Sequence, residues 1–271
     1  MVLFRDLEEK DIDSCVKLVK IGHDPNYTRS RFEWLHLNNL LAPSKMIVAE
    51  DNRKIVGIYC AIKKHVSING KIYVGARDID PVVHPDNRRK GIFTRMLEHS
   101  LIGESDIDFH FNFANKASLP GFIKAGWKTI GHIKECFFRT DYKKNLSKDF
   151  VSWCLCKMKN LFPQSAPQQG YKVFTNPDFK YFTTETSATI SVVRSYKYLK
   201  WRYLENPTKS SYLFLADSFQ NKCNQMIVGF YEQDNGTLYI NDFLFRTPQT
   251  KPSILYLLDF IKSNNLHEVR T

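Results

Sequence analysis

The stretch that decides the fold reads KIYVGARDIDPVVHPDNRRKGIFTRMLEHSLI and occupies residues 71–102. Its first part is rich in β-forming residues, which predicts a strand. The segment PDN at 85–87 then breaks the strand and turns the chain. From Ile92 onward the apolar residues recur at helical spacing, which predicts an amphipathic helix. A basic, glycine-containing turn, RRKG at 88–91, therefore lies between the end of a strand and the beginning of a helix.

The position of this turn suits it to bind phosphate. The first amides of a helix have no carbonyl partners within the helix and carry partial positive charge, so they attract anions. Gly91 lets the backbone approach an anion closely, and Arg88, Arg89 and Lys90 add positive charge. On the turn alone, a plain strand–turn–helix with a solvated basic turn explains the pattern about as well, because short glycine motifs often match by chance.

Two segments together resemble the GNAT superfamily of acyl-CoA N-acyltransferases. Arg88 and Gly91 match the first two fixed positions of that family's pyrophosphate-binding pattern, Q/R-x-x-G-x-G/A, whereas Phe93 stands where Gly or Ala is usual. Downstream, DFHFNFANKASLPGFIKAGWKTIG at 108–131 resembles the family's fifth strand, its Asn-led turn and its closing helix. Many members have a Tyr at the position of Phe122 to protonate the departing thiolate, so the usual general acid is missing here.

The resemblance implies that acyl-CoA is the co-substrate and that its thioester lies in a gap between the fourth and fifth strands. Backbone groups near Pro81 would bind the pantetheine arm, and one free strand amide would stabilise the oxyanion. The phosphate-binding turn at residues 88–94, here called the cradle, would bind the diphosphate through backbone amides. The Phe93 side chain should therefore pack inward. The cofactor-contacting residues implied by the resemblance are Val82, Val83, His84, Arg88, Arg89, Lys90, Gly91, Ile92, Phe93, Thr94, Asn115, Ser118 and Phe122.

The acceptor amine must lose a proton, and two carboxylates are the candidate catalytic bases. Asp80 would sit beside the reacting carbonyl, and Asp78, two residues earlier, should lie on the same face of the strand. A structural hydrogen bond explains each carboxylate equally well. His23, in the segment GHDPN, and His84 are weaker candidates, and His84 is better explained as a turn residue. The amine attacks the thioester directly, so no Ser or Cys nucleophile is required.

The two halves of the chain resemble each other. RFEWLHLNNLLAPSKMIVAEDNRKIVGIY begins at residue 31, and YLKWRYLENPTKSSYLFLADSFQNKCNQMIVGFY begins at residue 198. Both read as a helix followed by a hairpin of two strands. Three pairs share an offset of 167 residues (201 minus 34, 206 minus 39 and 216 minus 49), and they are Trp34 with Trp201, Asn39 with Asn206 and Ala49 with Ala216.

The sequence therefore predicts an α/β (α+β) protein with two tandem GNAT-like domains, each a mixed, mostly antiparallel sheet flanked by helices. Residues 1–145 would form the catalytic domain with the acyl-CoA site, 146–170 a connector, and 171–271 a second, degenerate domain. The turn RTPQT at 246–250, before the helix predicted from KPSILYLLDFIKSNN, has no glycine and few basic groups. The second domain should therefore bind no acyl-CoA, and should shape the acceptor pocket or replace a partner subunit.

Charge and composition narrow the partners. Lys and Arg outnumber Asp and Glu by 39 to 28, giving a net charge of +11, which favours anionic partners. No nucleic-acid motif accompanies this charge, and we find neither a signal peptide nor an apolar stretch of membrane-spanning length. We expect a cytoplasmic protein, a monomer or homodimer, with no nucleic-acid or membrane partner. The six cysteines show no zinc pattern, so no metal is expected.

The WRYLENP segment at 201–207 and the paired domains resemble GNAT proteins of bacterial surface-polysaccharide biosynthesis. That resemblance implies an acceptor amine on a nucleotide-linked amino sugar, for example a dTDP sugar. Three alternatives stay open: acetylation of a protein or small-metabolite amine, an aminoacyl-tRNA-dependent ligase, and a non-catalytic acyl-CoA sensor. The residues expected to contact the acceptor are His23, Trp34, Arg194, Tyr198 and Trp201.

Overall fold

A computed structural model describes most of the N-terminal half and parts of the C-terminal half. The described residues form two compact units, of which the first takes those of 1–133, 188–193 and 205–208. The predicted connector, the RTPQT turn and the helix predicted after it lie outside the described residues. The described residues are 1–103, 105–132, 137–139, 172–174, 179, 190–208, 212–216, 225–232, 237–245 and 268–270.

The first unit is a sheet with helices on both faces. Its helices are α1 Ile12–Gly22, α2 Arg29–Phe32, α3 Ile92–Ser100 and α4 Leu119–Lys124. A π-helical turn at Glu33–Leu37 continues α2, and a 3-10 turn at Pro85–Asn87 precedes α3. Its strands are β1 Leu3–Asp6, β2 Lys45–Asp51, β3 Lys54–Ile68, β4 Lys71–Val83 and β5 Phe109–Phe111, joined later in the chain by β8 Ile190–Val192.

The strands of this sheet run in the order β1-β2-β3-β4-β5, and β8 pairs with the end of β3. Only the β4–β5 pairing is parallel. Alternate side chains of β2, β3 and β4 enter two separate apolar clusters, one under α1 and α2 and the other under α3 and α4. Strands buried on both faces explain why β3 contains the nearly continuous apolar run IVGIYCAI.

The predicted strand–turn–helix of residues 71–102 is confirmed, because β4, the 3-10 turn and α3 follow one another there. The predicted fold class, a mixed and mostly antiparallel sheet flanked by helices, is also confirmed. Period-2 and period-3.6 patterns on either side of a Pro-containing break carried enough information for both.

The second unit contains another mixed sheet. Its strand order is β6-β12-β11-β10-β9-β7, and only β11 and β12 pair in parallel. A short helix, α5 Tyr196–Leu199, continues into a π-helical turn at Lys200–Leu204. The strands are β6 Phe137–Arg139, β7 Lys172–Phe174, β9 Tyr212–Ala216, β10 Gln225–Glu232, β11 Thr237–Phe245 and β12 Glu268–Arg270.

The offset of 167 residues recurs in local geometry. Helix α5 and its π-helical turn begin 167 residues after α2 and its own (196 minus 29 and 200 minus 33). Thr28 and Ser195 cap these helices by accepting the amide three residues on, at 3.1 and 3.2 Å. Asn39 and Asn206 each accept the amide two residues on, at 3.3 and 3.0 Å. The aligned segments therefore share helix caps and turn geometry as well as amino-acid identities.

Phe93 packs inward against α4. Its ring meets that of Phe122 edge to face, with 5.3 Å between centroids. Gly121 lies directly beneath it, since a Cβ added at Gly121 would be 2.5 Å from the Phe93 ring. The bulky residue at the third position of the phosphate-binding pattern is thus accommodated by a glycine on the neighbouring helix.

We predict that Gly121→Ala destabilises the protein by about 1–3 kcal/mol, because the added methyl group overpacks the Phe93 contact. Denaturant unfolding measures this change. The control is Gly131→Ala, where an added Cβ meets no atom within 4 Å, so its effect should stay within about 0.5 kcal/mol. Equal effects of the two substitutions would contradict the packing argument.

Candidate active site

An irregularity in β4 sets the geometry of the site. Ile58 of β3 pairs with Val82, but Cys60 pairs with Ile79, so β4 carries one residue more than β3 over this interval. Asp80 lies within the bulge and has φ of 53°. Positive φ is uncommon for residues other than glycine, although Asp and Asn tolerate it better than most. Such strained residues cluster at functional sites.

The bulge places the two candidate carboxylates on opposite faces of the sheet. Asp80 contacts Tyr27, which belongs to the apolar cluster under α1 and α2. Asp78 follows Ala76 onto the face covered by α3 and α4, where it contacts His110. The prediction that Asp78 and Asp80 share a face is therefore wrong, because the extra residue interrupts the alternation of side chains between them.

Two side chains hydrogen-bond to Asp80, and a third lies within ion-pair distance. The Tyr27 hydroxyl donates to Oδ2 at 2.7 Å, and His36 Nε2 lies 3.4 Å from the same oxygen. His23 Nε2 lies 3.7 Å from Oδ1. On the far side of the His36 ring, Nδ1 lies 3.2 Å from Ser44 Oγ. Because an ionised carboxylate only accepts, His36 presents Nε2–H to Asp80.

Asp80 is buried yet ionised. It is 8% exposed, while Tyr27 and His36 are fully buried. Burial on its own would raise the pKa of Asp80, but the hydrogen bonds and charge of His36, the Tyr27 hydroxyl and nearby His23 outweigh it, so the pKa is lowered. His23, with 44% of its side chain exposed, joins this buried group to solvent.

Asp78 has the opposite electrostatic character. His110 Nδ1 lies 3.1 Å from its Oδ1, and the Tyr59 hydroxyl lies nearby, 3.5 Å from the same ring nitrogen. Oδ2 is buried and has no hydrogen-bond partner among the described residues. Burial raises the pKa of Asp78, and contact with His110 and Tyr59 offsets this only in part. The protonated form is therefore favoured relative to an ordinary carboxyl.

Beyond Arg77, β4 and β5 part. Their parallel pairing covers Gly75–Arg77 and Phe109–Phe111 only. Within the described residues, no strand pairs with residues 78–83 on that side of β4. The strand edge that carries Asp80 is therefore unpaired among the described residues, and the resemblance places the thioester beside it.

The turn before α3 is open for an anion. The amides of residues 89–94 donate to no other described residue, and α3 begins without a side-chain cap. Gly91, with φ of 76°, is the residue before the helix, and a Cβ there would meet no atom within 4 Å. Arg89 and Lys90 are exposed, whereas Arg88 Nε donates to Val83 O at 3.1 Å and ties the turn to the end of β4. Free amides, open space and positive charge meet at one point.

Other predicted cofactor residues position the cradle. Asn115 Oδ1 accepts the amide of Ser118 at 2.9 Å, and Ser118 Oγ accepts the amide of Asn115, so the two begin α4. Phe122 is 2% exposed and packs on Phe93. His84 Nδ1 accepts the amide of Asp86 at 3.4 Å, in agreement with a turn residue. The remaining buried members are Val82, Val83, Ile92 and Thr94.

The predicted acceptor residues fall into separate parts of the chain. His23 reaches Asp80, and Trp34 lies half-buried in the π-helical turn after α2. Arg194, Tyr198 and Trp201 belong to the second unit. Tyr198 and Trp201 are 9% and 5% exposed, so little of either ring is available to a ligand.

Sequence reasoning missed Tyr27, His36 and Ser44 around Asp80, and Tyr59 and His110 around Asp78. One signal in the sequence points to the first two. Positions 194 and 203, which lie 167 residues after Tyr27 and His36, also carry hydrogen-bonding side chains. The other contacts depend on strand register and on the bulge, which no local pattern reveals.

Within the described ranges, no three His, Cys, Asp or Glu side chains lie close enough together to hold a metal ion. The same part of the chain contains no helix with the length and apolarity that crossing a membrane requires.

Residues 4–130 match the acetyltransferase (GNAT) domain family. This part of the chain, a little under half of its length, is similar to that family. It contains the bulged β4, the open turn and the Asp80 cluster. Among proteins of curated function, none matches the chain significantly.

Several solved structures are similar to the chain beyond residues 4–130 as well. A probable N-acyltransferase of Enterococcus faecalis V583 is similar over 100% of this chain and 65% of its own, with a TM-score of 0.67 and 13% identity. A GCN5-related N-acetyltransferase of Anabaena variabilis is similar over 100% of this chain and 65% of its own, with a TM-score of 0.60 and 14% identity. Saccharomyces cerevisiae N-myristoyltransferase with bound myristoyl-CoA is similar over 99% of this chain and 76% of its own, with a TM-score of 0.57 and 12% identity. At these identities the likeness shows the fold alone, and the chain spans 65%, less than two thirds, of the length of the first two structures.

The opposite pKa directions predict opposite stability profiles for two matched variants. The anionic form of Asp80 stabilises the fold at neutral pH, and this contribution is lost as pH falls through its lowered pKa. Asp80→Asn should therefore lower stability at pH 7 by about 1–3 kcal/mol. Asn also tolerates positive φ, so the backbone is preserved.

For Asp78 the contribution to stability changes with pH in the opposite direction. Its raised pKa means that the protonated form stabilises the fold at low pH, and that this contribution is lost as pH rises through the raised value. Asp78→Asn, which imitates the neutral form, should equal or exceed the wild-type Tm at pH 8, with the difference shrinking toward pH 4. Thermal unfolding of both variants between pH 4 and 8 measures this. Parallel profiles would refute the assignment.

Proposed function

We propose that the protein is an acyl-CoA-dependent N-acyltransferase that acylates the amine of a nucleotide-linked amino sugar. The observation that carries the proposal is the ionised, buried Asp80 on a strand edge that faces the gap beside β5. An acyl-CoA sensor needs the anion cradle, but it has no use for a buried carboxylate held by Tyr27 and His36. The proposed catalysis uses both.

The cradle fits the donor. Six successive amides, from Arg89 to Thr94, are available to a diphosphate, and Gly91 leaves the approach clear. Acyl-CoA bound there supplies an activated carbonyl on a flexible arm, and the gap between β4 and β5 gives that arm a place beside exposed strand amides. Such amides stabilise a developing oxyanion, which is worth about 3–4 kcal/mol in enzymes where it has been removed.

Asp80 serves as the proton acceptor in this proposal. The acceptor nitrogen forms the C–N bond, the C–S bond breaks, and the thiolate leaves. A carboxylate of lowered pKa is a weak base toward a free ammonium ion, but the nitrogen becomes strongly acidic once it has added to the carbonyl. Asp80 then takes its proton, and half-exposed His23 passes it to solvent. Tyr27 and His36 hold the carboxylate in position.

The choice of acceptor rests on charge and on the sequence resemblance. A net charge of +11 suits a doubly phosphorylated acceptor as well as CoA. An amine beside the electronegative groups of a sugar has depressed basicity, so a weak base suffices. The second unit, in this proposal, is a degenerate GNAT-like domain on the acceptor side. The cytoplasmic location expected from the sequence stays a prediction.

We predict that Asp80→Asn lowers kcat by about 10²–10⁴-fold, as expected for loss of a general base, with little change in the KM for acyl-CoA. Thiol release and mass spectrometry of the acylated product measure this. Asp78→Asn is the matched control, because it removes a carboxylate from the other face of the same strand and should change kcat by less than a few fold. Undiminished turnover in Asp80→Asn would remove this residue from the mechanism.

Gly91→Ala should weaken CoA binding about tenfold or more, because the methyl group enters the space in which a phosphate approaches the amides. Gly103→Ala is the control: Gly103 also has φ of 76° and no atom near its Cβ position, but it follows the other end of α3. The backbone penalty should therefore be similar in both, about 1–2 kcal/mol. Calorimetric titration with CoA compares the affinities of the two variants. An equal loss of affinity in both would mean that backbone strain alone explains the effect, and it would contradict a phosphate site at Gly91.

The acceptor class is tested by acyl transfer to a panel of UDP- and dTDP-amino sugars, a lysine peptide and a small polyamine. The proposal expects product with a nucleotide-linked amino sugar. Acylation of the peptide or polyamine alone would contradict the proposed acceptor class, while the acyltransferase activity itself would be retained.

A further inference from the structure

The second unit contains a buried polar cluster built on the same positions as the Asp80 cluster. Arg194 and Tyr203 lie 167 residues after Tyr27 and His36 (194 minus 27 and 203 minus 36). Both contact Asp242 of β11. Arg194 Nε lies 3.0 Å from each carboxylate oxygen, and the Tyr203 hydroxyl donates to Oδ2 at 3.0 Å.

The position of Asp242 in its strand also corresponds to that of Asp80. Val228 of β10 pairs with Asp242, but Gly229 pairs with Ile240, so β11 carries an extra residue beside Asp242. In each unit, a carboxylate at a bulge receives two side chains from the helical segment that precedes the hairpin. The second unit keeps this geometry and replaces the Tyr and His by Arg and Tyr.

A second guanidinium makes the cluster electrostatically unbalanced. Arg202 Nε donates to the Tyr203 hydroxyl at 3.2 Å, and its guanidinium lies 5.4 Å from the centre of that ring. Burial raises the pKa of Tyr203, so its phenol stays neutral. The Tyr203 hydroxyl therefore lies between Arg202 and Asp242, while Arg194 contacts that carboxylate directly and the negative charge of Asp242 also stabilises the Arg202 cation.

Among the residues that the structure describes, one carboxylate, that of Asp242, therefore lies near two guanidinium groups. Arg202 is half-buried, and its two terminal amino groups donate to no residue that the structure describes. Arginine does not lose its proton in proteins, so the excess positive charge persists. Removing a charge from water without a counter-ion is costly, and an arriving anion recovers part of that cost.

We propose that Arg202 binds a phosphate group in the second unit. Its two terminal amino groups match the spacing of two phosphate oxygens, a fork that favours planar, bidentate contacts. Arg194 is committed to Asp242 and positions it, and Tyr203 fixes the orientation of the Arg202 guanidinium. The site stands independently of acyl transfer.

The test compares Arg202→Gln with Lys197→Gln, which removes the same charge from an exposed position on α5. Inorganic phosphate is titrated against each variant by calorimetry, with chloride replaced to keep the ionic strength constant. We expect Arg202→Gln to raise the Kd of this site about tenfold or more, and Lys197→Gln to leave it unchanged. Phosphate bound by the first unit contributes equally to all variants.

A second variant guards against misfolding. Asp242→Asn removes the carboxylate that competes with phosphate, so it should bind phosphate several fold more tightly, which a damaged fold would not do. Wild-type affinity in Arg202→Gln, or equal losses in both glutamine variants, would overturn the proposal. Acetate binding as tightly as phosphate would overturn the assignment of a phosphate and indicate a carboxylate ligand instead.

Discussion

The extra residue in β4 is the feature on which the rest of the site depends. A regular strand would send Asp78 and Asp80 to the same side and bury both carboxylates in one apolar cluster. With the bulge, each face of the sheet receives one. The pairing of β4 with β5 also ends at Arg77, so among the described strands none pairs with that edge of β4 beside Asp80. One irregularity in a pairing register thus separates two like charges next to an unpaired strand edge.

The two carboxylates show how the same side chain acquires different chemistry a few ångströms away. Burial acts on both and disfavours the anion. Asp80 has a phenol, two imidazoles and a path to solvent, whereas Asp78 has one imidazole and an oxygen without a partner among the described residues. Hydrogen bonds to the anion decide the outcome, and they come from residues far away in sequence.

The large sequence separation of these contacts explains which features could be predicted from the sequence and which could not. The strand, the turn around Gly91 and helix α3 are local, so side-chain periodicity and glycine chemistry predicted them. The face of Asp80 and its contact with Tyr27 could not be predicted, because a register shift leaves no local pattern and reverses the expected alternation. Phe93 is intermediate: its departure from the family pattern was visible, but the glycine that accommodates it lies on another helix.

The π-helical turn after α2 carries a consequence for how this segment can change. His36 reaches Asp80 from within that turn, and Tyr203 reaches Asp242 from the turn at the same offset. Each residue added or removed rotates the later part of the helix by about 100° around its axis, which would carry either side chain off its carboxylate. Drift in these segments can therefore proceed by exchanging amino acids, as Tyr27 against Arg194 illustrates, but not by altering length.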